Sequence, residues 1–156
     1  MSKSVDRVAA AAAEAALSIE IKRMGESTRT ADEAARQCGC TVDQIVKSLI
    51  FAGETSNRLY LFLVSGGKQL DLDKARVVVG ENLTRADPHR IREETGFAIG
   101  GVSPLAQPQD VHRYADRTLL RFDQVWAAAG AHDAVFAAEP KALLAAAGAK
   151  VADIVP

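Results

Sequence analysis

Six consecutive apolar residues, Leu59-Tyr-Leu-Phe-Leu-Val64, follow Arg58, and a shorter apolar run, Ser48-Leu-Ile-Phe-Ala52, lies just upstream. Between them stands Gly53-Glu-Thr-Ser-Asn57, all turn chemistry. Two such runs with so short a polar connection predict a β-hairpin. A hairpin commits the chain to a sheet, and what flanks it sets the class.

Upstream, Ala at most positions from Ala9 to Ala16 predicts a helix over residues 4–17. Ile19–Arg23 is read as a short strand or extended exit. Thr30-Ala-Asp-Glu33 carries a capping signature and opens a helix over 31–37 that stops at Gly39. Thr41-Val-Asp-Gln44 repeats the signature and predicts a second short helix, to about Lys47. Downstream, Leu70–Ala75 is read as a helix with Asp71 near its start. Asp87-Pro88 opens another, running to about Glu94 and stopping at Gly96. Phe97–Gly101, Thr118–Phe122, Gln124–Ala128 and Ala134–Ala138 are strand candidates. Pro140 starts a last helix that ends at Gly148, and Val151–Ile154 closes as a strand. Helices and strands alternate without a regular βαβ repeat, which predicts an α+β fold with a mixed, mainly antiparallel sheet.

The 156 residues suit one domain over 1–156, and 48% apolar content excludes wholesale disorder. Only eight aromatic residues exclude a multi-ring base-stacking platform. The net charge is −1, and residues 1–30, 31–67, 68–109 and 110–156 each lie within one charge of neutrality. A duplex-binding basic stripe is excluded, so any nucleic-acid contact is local. Cys38 and Cys40 fit neither a redox nor a zinc spacing, and the three histidines are scattered, so neither metal nor cofactor is expected. Val8–Ile19 is too short to span a bilayer and is interrupted by Glu14, which predicts a cytoplasmic protein without membrane contact.

Gly66-Gly67-Lys68 fails as a phosphate loop, because Phe62 stands where the first glycine belongs and Gln69 where a magnesium-binding hydroxyl belongs. Gly96-Phe-Ala-Ile-Gly-Gly101 has the wrong spacing for a dinucleotide fingerprint, and no nucleophile elbow is present. Two local features remain. Lys47 lies where the short helix meets the apolar strand, as a helix-end cation, a surface lysine, or a functional one. Gly100-Gly101-Val102-Ser103-Pro104 is either a plain tight turn or a place where backbone approaches a ligand and offers two N–H donors.

Taken in order, Thr30-Ala-Asp-Glu-Ala-Ala35, Gln44-Ile-Val-Lys-Ser-Leu-Ile-Phe51, Leu70-Asp-Leu-Asp-Lys74, Thr95-Gly-Phe-Ala-Ile-Gly-Gly-Val-Ser-Pro-Leu105 and Gly148-Ala-Lys-Val-Ala-Asp-Ile154 resemble the YbaK / prolyl-tRNA-synthetase editing-domain family of aminoacyl-tRNA deacylases. The resemblance covers nearly the whole chain. It implies an α+β fold around a barrel-like sheet with surrounding helices, and trans-editing hydrolysis of mischarged aminoacyl-tRNA, chiefly Cys- or Ala-tRNA(Pro), without metal or cofactor. Its implied partners are the tRNA acceptor end and a prolyl-tRNA synthetase. Its implied site is Lys47 as the catalytic residue, with Gly100, Gly101, Val102, Ser103 and Gly130 binding substrate. Ser48 stands where many members carry Thr, and Ile21–Arg29 lacks a histidine often found there. Two other classes share these residues: a non-catalytic module binding an aminoacyl group or nucleotide, and a hydrolase of another small ester or thioester.

Overall fold

The structure, a computed structural model, describes residues 3–156. In chain order it runs α1 (Lys3–Glu14), β1 (Lys22–Arg23), α2 (Ala31–Cys38), a 3-10 turn (Val42–Gln44), β2 (Val46–Gly53), β3 (Leu59–Ser65), α3 (Leu72–Val79), β4 (Leu83–Arg85) and α4 (Pro88–Thr95). β5 (His112–Asp116), a second 3-10 segment (Arg117–Arg121), β6 (Val125–Ala128), β7 (Ala134–Ala138), α5 (Pro140–Ala147) and β8 (Lys150–Ala152) follow.

The expected hairpin is the centre of the fold. β2 pairs antiparallel with β3 from Val46↔Ser65 to Ala52↔Leu59. Every residue of β3 is buried, as a strand covered on both faces requires. Its side chains alternate between two cores. Leu59, Leu61 and Leu63 join α1, α5 and the smaller sheet in the main core. Tyr60, Phe62 and Val64 join Ala75 of α3 and Ile154 in the second, where Phe62 stacks on Tyr114 at 5.9 Å between ring centres.

The five-stranded sheet has the order β4-β2-β3-β5-β8, and a three-stranded sheet has the order β1-β7-β6. Four of the six strand pairs among the described residues are antiparallel; β3–β5 and β5–β8 are parallel. A bridge, Ile45↔Trp126, brings the two sheets together beside the start of β2. The fold is therefore α+β, mixed and mainly antiparallel, with a barrel-like curve that does not close.

Helix ends follow their caps. Thr30 Oγ1 accepts from Glu33 N while Glu33 returns to Thr30 N, both at 3.1 Å. Asp71 and Asp87 cap α3 and α4 as expected. The second Thr signature gives only one 3-10 turn, because Ile45 is drawn into the bridge to Trp126 and its carbonyl accepts from Gly66 N. Lys47 therefore lies inside β2, not at a helix end.

Phe97–Gly101 is a loop rather than a strand: α4 ends in left-handed Gly96, and Gly101 N closes a turn on Ala98 O at 2.9 Å. Thr118–Phe122 is also not a strand, because Asp116 caps a 3-10 segment there through Thr118 N. The expected first strand shrinks to Lys22–Arg23, and β4 and β5 are strands the sequence pattern did not show.

Candidate active site

Two clefts adjoin at the start of β2. One, of about 370 Å³, opens between the Thr28–Ala31 segment, β2 and β6. The other, of about 730 Å³, opens between β2, the α3 entry, β4 and α4. They share one wall: Lys47, Ser48 and Leu49 from β2, with Ile99, Gly100 and Val102 from the loop after α4.

Lys47 is half-buried in that wall, and its Nζ donates to the Lys68 main-chain carbonyl. Burial pushes the ammonium below the usual lysine range, and the Asp116 carboxylate opposes the shift. Asp116 is itself 1% exposed and accepts from Ser65 N at 3.2 Å and Thr118 N at 2.9 Å. The site thus holds a fixed cation backed by a fixed carboxylate. One residue further along β2, the Ser48 Oγ is buried without a hydrogen-bond partner among the described residues. An unpaired buried hydroxyl costs free energy unless a ligand or water satisfies it.

Gly100 has φ +92°, and a Cβ there would stand 2.7 Å from Arg29 Cγ. Its N–H makes no hydrogen bond within the described residues. Of the two donors expected from the glycine pair, Gly101 N–H is already used by Ala98 O, so Gly100 supplies the open one. Gly101 has another reason to be glycine: a Cβ would lie 3.1 Å from Ala131 N and 3.2 Å from Gly130 C. Gly130, at φ +97°, in turn leaves room for the Ser4–Val5 backbone of α1.

Ser103 is fully buried; its Oγ accepts from Leu105 N at 3.2 Å and its carbonyl from Gln107 Nε2 at 2.8 Å. The structure therefore brings Lys47, Gly100 and Val102 together at the clefts, while Gly101, Ser103 and Gly130 stand behind them and hold the loop. Cys38 and Cys40 are free and half-buried, and burial pushes the Cys38 thiol up to about 11. Among the described residues no three His, Cys, Asp or Glu side chains converge as metal ligands.

The aminoacyl-tRNA editing domain family model matches residues 25–146, which include every residue of the shared wall. The chain belongs to that family. Its activity is that of an aminoacyl-tRNA deacylase, a hydrolase of the aminoacyl ester. A solved structure described as a candidate trans-editing enzyme for prolyl tRNA synthetase is 47% identical, with a TM-score of 0.91 over 100% of this chain and 99% of that one. The Bacillus subtilis (strain 168) protein YwhH is 32% identical over 124 residues, 80% of this chain and 78% of that protein. A proline–tRNA ligase from Thermosipho melanesiensis is 35% identical over 80 residues, which are 51% of this chain and 14% of the ligase.

Two features of this editing domain's site were not picked out as site residues from sequence. Ser48 is one, since only the folded chain shows its hydroxyl to be buried and unpaired. Arg29 is the other, brought over Gly100 by the anchoring of Thr28, whose N and Oγ1 both donate to His132 O. No helix of the described residues is long and apolar enough to cross a membrane.

Proposed function

We propose that the chain edits in trans, hydrolysing Cys or Ala from mischarged tRNA(Pro) in the compartment where translation runs, with a prolyl-tRNA synthetase as the source of the error. The observation that carries this reading is the shared wall, where the residues bearing a half-buried cation, a buried unpaired hydroxyl and an unbonded backbone N–H line two adjoining clefts. An aminoacyl ester needs such a division, because a small side chain and a nucleoside flank one carbonyl. The smaller cleft, with Trp126, Ala128 and Val135, suits the side chain; the larger, with Gln69, Thr84 and Arg85, suits the terminal adenosine.

In this reading Lys47 anchors the acceptor end and polarises the ester as a compact cation. The Gly100 N–H receives the carbonyl oxygen as it gains charge, and Ser48 orients the ester. Water, or the thiol of a cysteinyl substrate, attacks the carbonyl carbon, and the ribose oxygen leaves with a proton. The ester is already activated, so positioning and electrostatics suffice. Similarity to the trans-editing structure over its full length supports action in trans, and the ligase segment supports the link to proline tRNA.

The test is deacylation of tRNA(Pro) charged in turn with Pro, Ala, Cys, Ser and Thr. Fast release of Cys or Ala with Pro spared is expected. Release from none of the five would overturn the reading.

A further inference from the structure

Although the chain carries no basic stripe, the fold gathers four cations around one small polar pocket of about 200 Å³. Lys68 comes from the turn after β3, Lys74 from α3, and Arg117 and Arg121 from the 3-10 segment after β5. Of these, Lys74 is already committed, to Asp153 at 3.0 Å and to the Val155 carbonyl at 2.8 Å. Lys68, Arg117 and Arg121 have no carboxylate partner among the described residues. Of the two carboxylates that line the pocket, Asp153 meets Lys74, and Asp116 accepts from the Ser65 and Thr118 amides with its two oxygens. The lining thus sets the side chains of four cations against those of two carboxylates, and that excess of positive charge favours an entering anion.

The pocket is also tied to the shared wall. Lys68 gives its main-chain carbonyl to the Lys47 ammonium and also lines the pocket. Asp116 lies on the pocket side and faces Lys47 electrostatically. The pocket therefore begins within one lysine side chain of the proposed reacting ester. A strand held at Lys47 by its terminal nucleoside brings its nearest backbone phosphates to that distance.

We infer that Lys68, Arg117 and Arg121 form a phosphodiester subsite that grips the acceptor strand next to the reacting end. The inference rests on the deacylase reading and adds to it where the strand runs. Two guanidiniums and an ammonium suit a phosphate by geometry and charge, and a pocket this polar does not suit an apolar ligand. It also resolves the charge balance of the chain: the RNA is held through a few local phosphates, not along a face.

The experiment compares Arg117→Ala/Arg121→Ala with the parent and with Arg92→Ala/Lys141→Ala, which removes the same charge from exposed positions on α4 and α5. Three readouts are taken: deacylation of the best aminoacyl-tRNA of the panel, deacylation of the same amino acid esterified to adenosine alone, and binding of uncharged acceptor-stem RNA by anisotropy across a salt series. Loss of two phosphate contacts predicts a KM for the tRNA raised ~10-fold, a salt slope of binding lower by about one to two, and an unchanged rate on the adenosine ester. The Arg92→Ala/Lys141→Ala protein keeps parental values.

Equal weakening by the two double variants would overturn the subsite, as would unchanged RNA binding in Arg117→Ala/Arg121→Ala. A matching loss on the adenosine ester would overturn it too, by showing a structural role. Failure of the parent to cleave either ester, with RNA binding still dependent on Arg117 and Arg121, would instead defeat the deacylase reading and leave the phosphate subsite standing.

Discussion

The two ends of the β2–β3 hairpin treat polar groups in opposite ways. At the turn end, the Glu81 carboxylate accepts from Thr55 N and Ser56 N at 2.9 Å each, and from Ser56 Oγ and Tyr60 Oη at 2.6 Å each. Those donors hold its carboxyl at about 2, far below the ordinary glutamate value. At the other end, Ser48 Oγ and Gly100 N–H have no hydrogen-bond partner among the described residues, and Lys47 sits half-buried with its pKa lowered by burial. One end completes its hydrogen bonds and closes a turn. The other leaves them open beside two clefts, which is the pattern of a site prepared for a ligand.

Breaking the open end should cost activity and spare the fold. Lys47→Ala is expected to lower deacylation by ~10²-fold or more, as for loss of one preorganised electrostatic group. Lys47→Arg keeps the charge but replaces a compact ammonium with a wide planar fork, and it is expected to be badly impaired as well. Both variants should keep the parental Tm in thermal melts. Near-normal turnover by folded Lys47→Ala would remove this residue from the mechanism.

Breaking the closed end should do the reverse. Glu81→Gln leaves the Thr55 and Ser56 amides with a weaker acceptor, so Tm should fall by a few degrees while kcat/KM holds. Because the folded carboxyl titrates near 2 rather than at its ordinary 4.5, its contribution is fully present above about pH 4.5. It is lost as pH falls through 2. Parent and variant stabilities should therefore converge in acid denaturation over that window; a constant difference would show that the clip acts through shape and not charge.

How much of this contrast was legible in the sequence differs by region. The hairpin was legible because its apolar run is continuous, and α2, α3, α4 and α5 because each carries its own start and stop residues. β5 was not: His112, Arg113 and Asp116 give it a polar pattern, and only its parallel neighbours β3 and β8 make it a strand. Lys47 was placed at a helix end because a local cap signature suggested it, and sheet pairing at Val46↔Ser65 overrode that signature. Lys47 and Gly100 were legible as candidates from residue type, whereas the unpaired state of Ser48 depends on packing between distant segments. Those segments also predict cooperativity: residues 47, 100 and 130 come from three parts of the chain, so denaturation followed by two probes should give coincident curves.

The finest test concerns Asp116, which joins the hairpin's open end to β5. Its carboxylate opposes the effect of burial on Lys47, so it favours the ammonium over the neutral amine. The parent's activity above the uncatalysed blank should fall on the alkaline side, at a pH below the ordinary lysine value of 10.5, as Lys47 loses its proton. Asp116→Asn removes the opposing charge and keeps the side chain's size. Burial then acts on Lys47 alone, the lysine titrates lower still, and the alkaline limb should move to lower pH. At pH values below both limbs, kcat should change much less than at the limb. The substitution also sets an amide beside the Ser65 and Thr118 N–H groups, and loss of one such hydrogen bond costs about 1–3 kcal/mol of stability. That loss is uniform across the alkaline range and cannot displace a titration limb. A limb that stays in place, or moves upward, in a folded Asp116→Asn protein would show that Lys47 keeps its charge without this carboxylate.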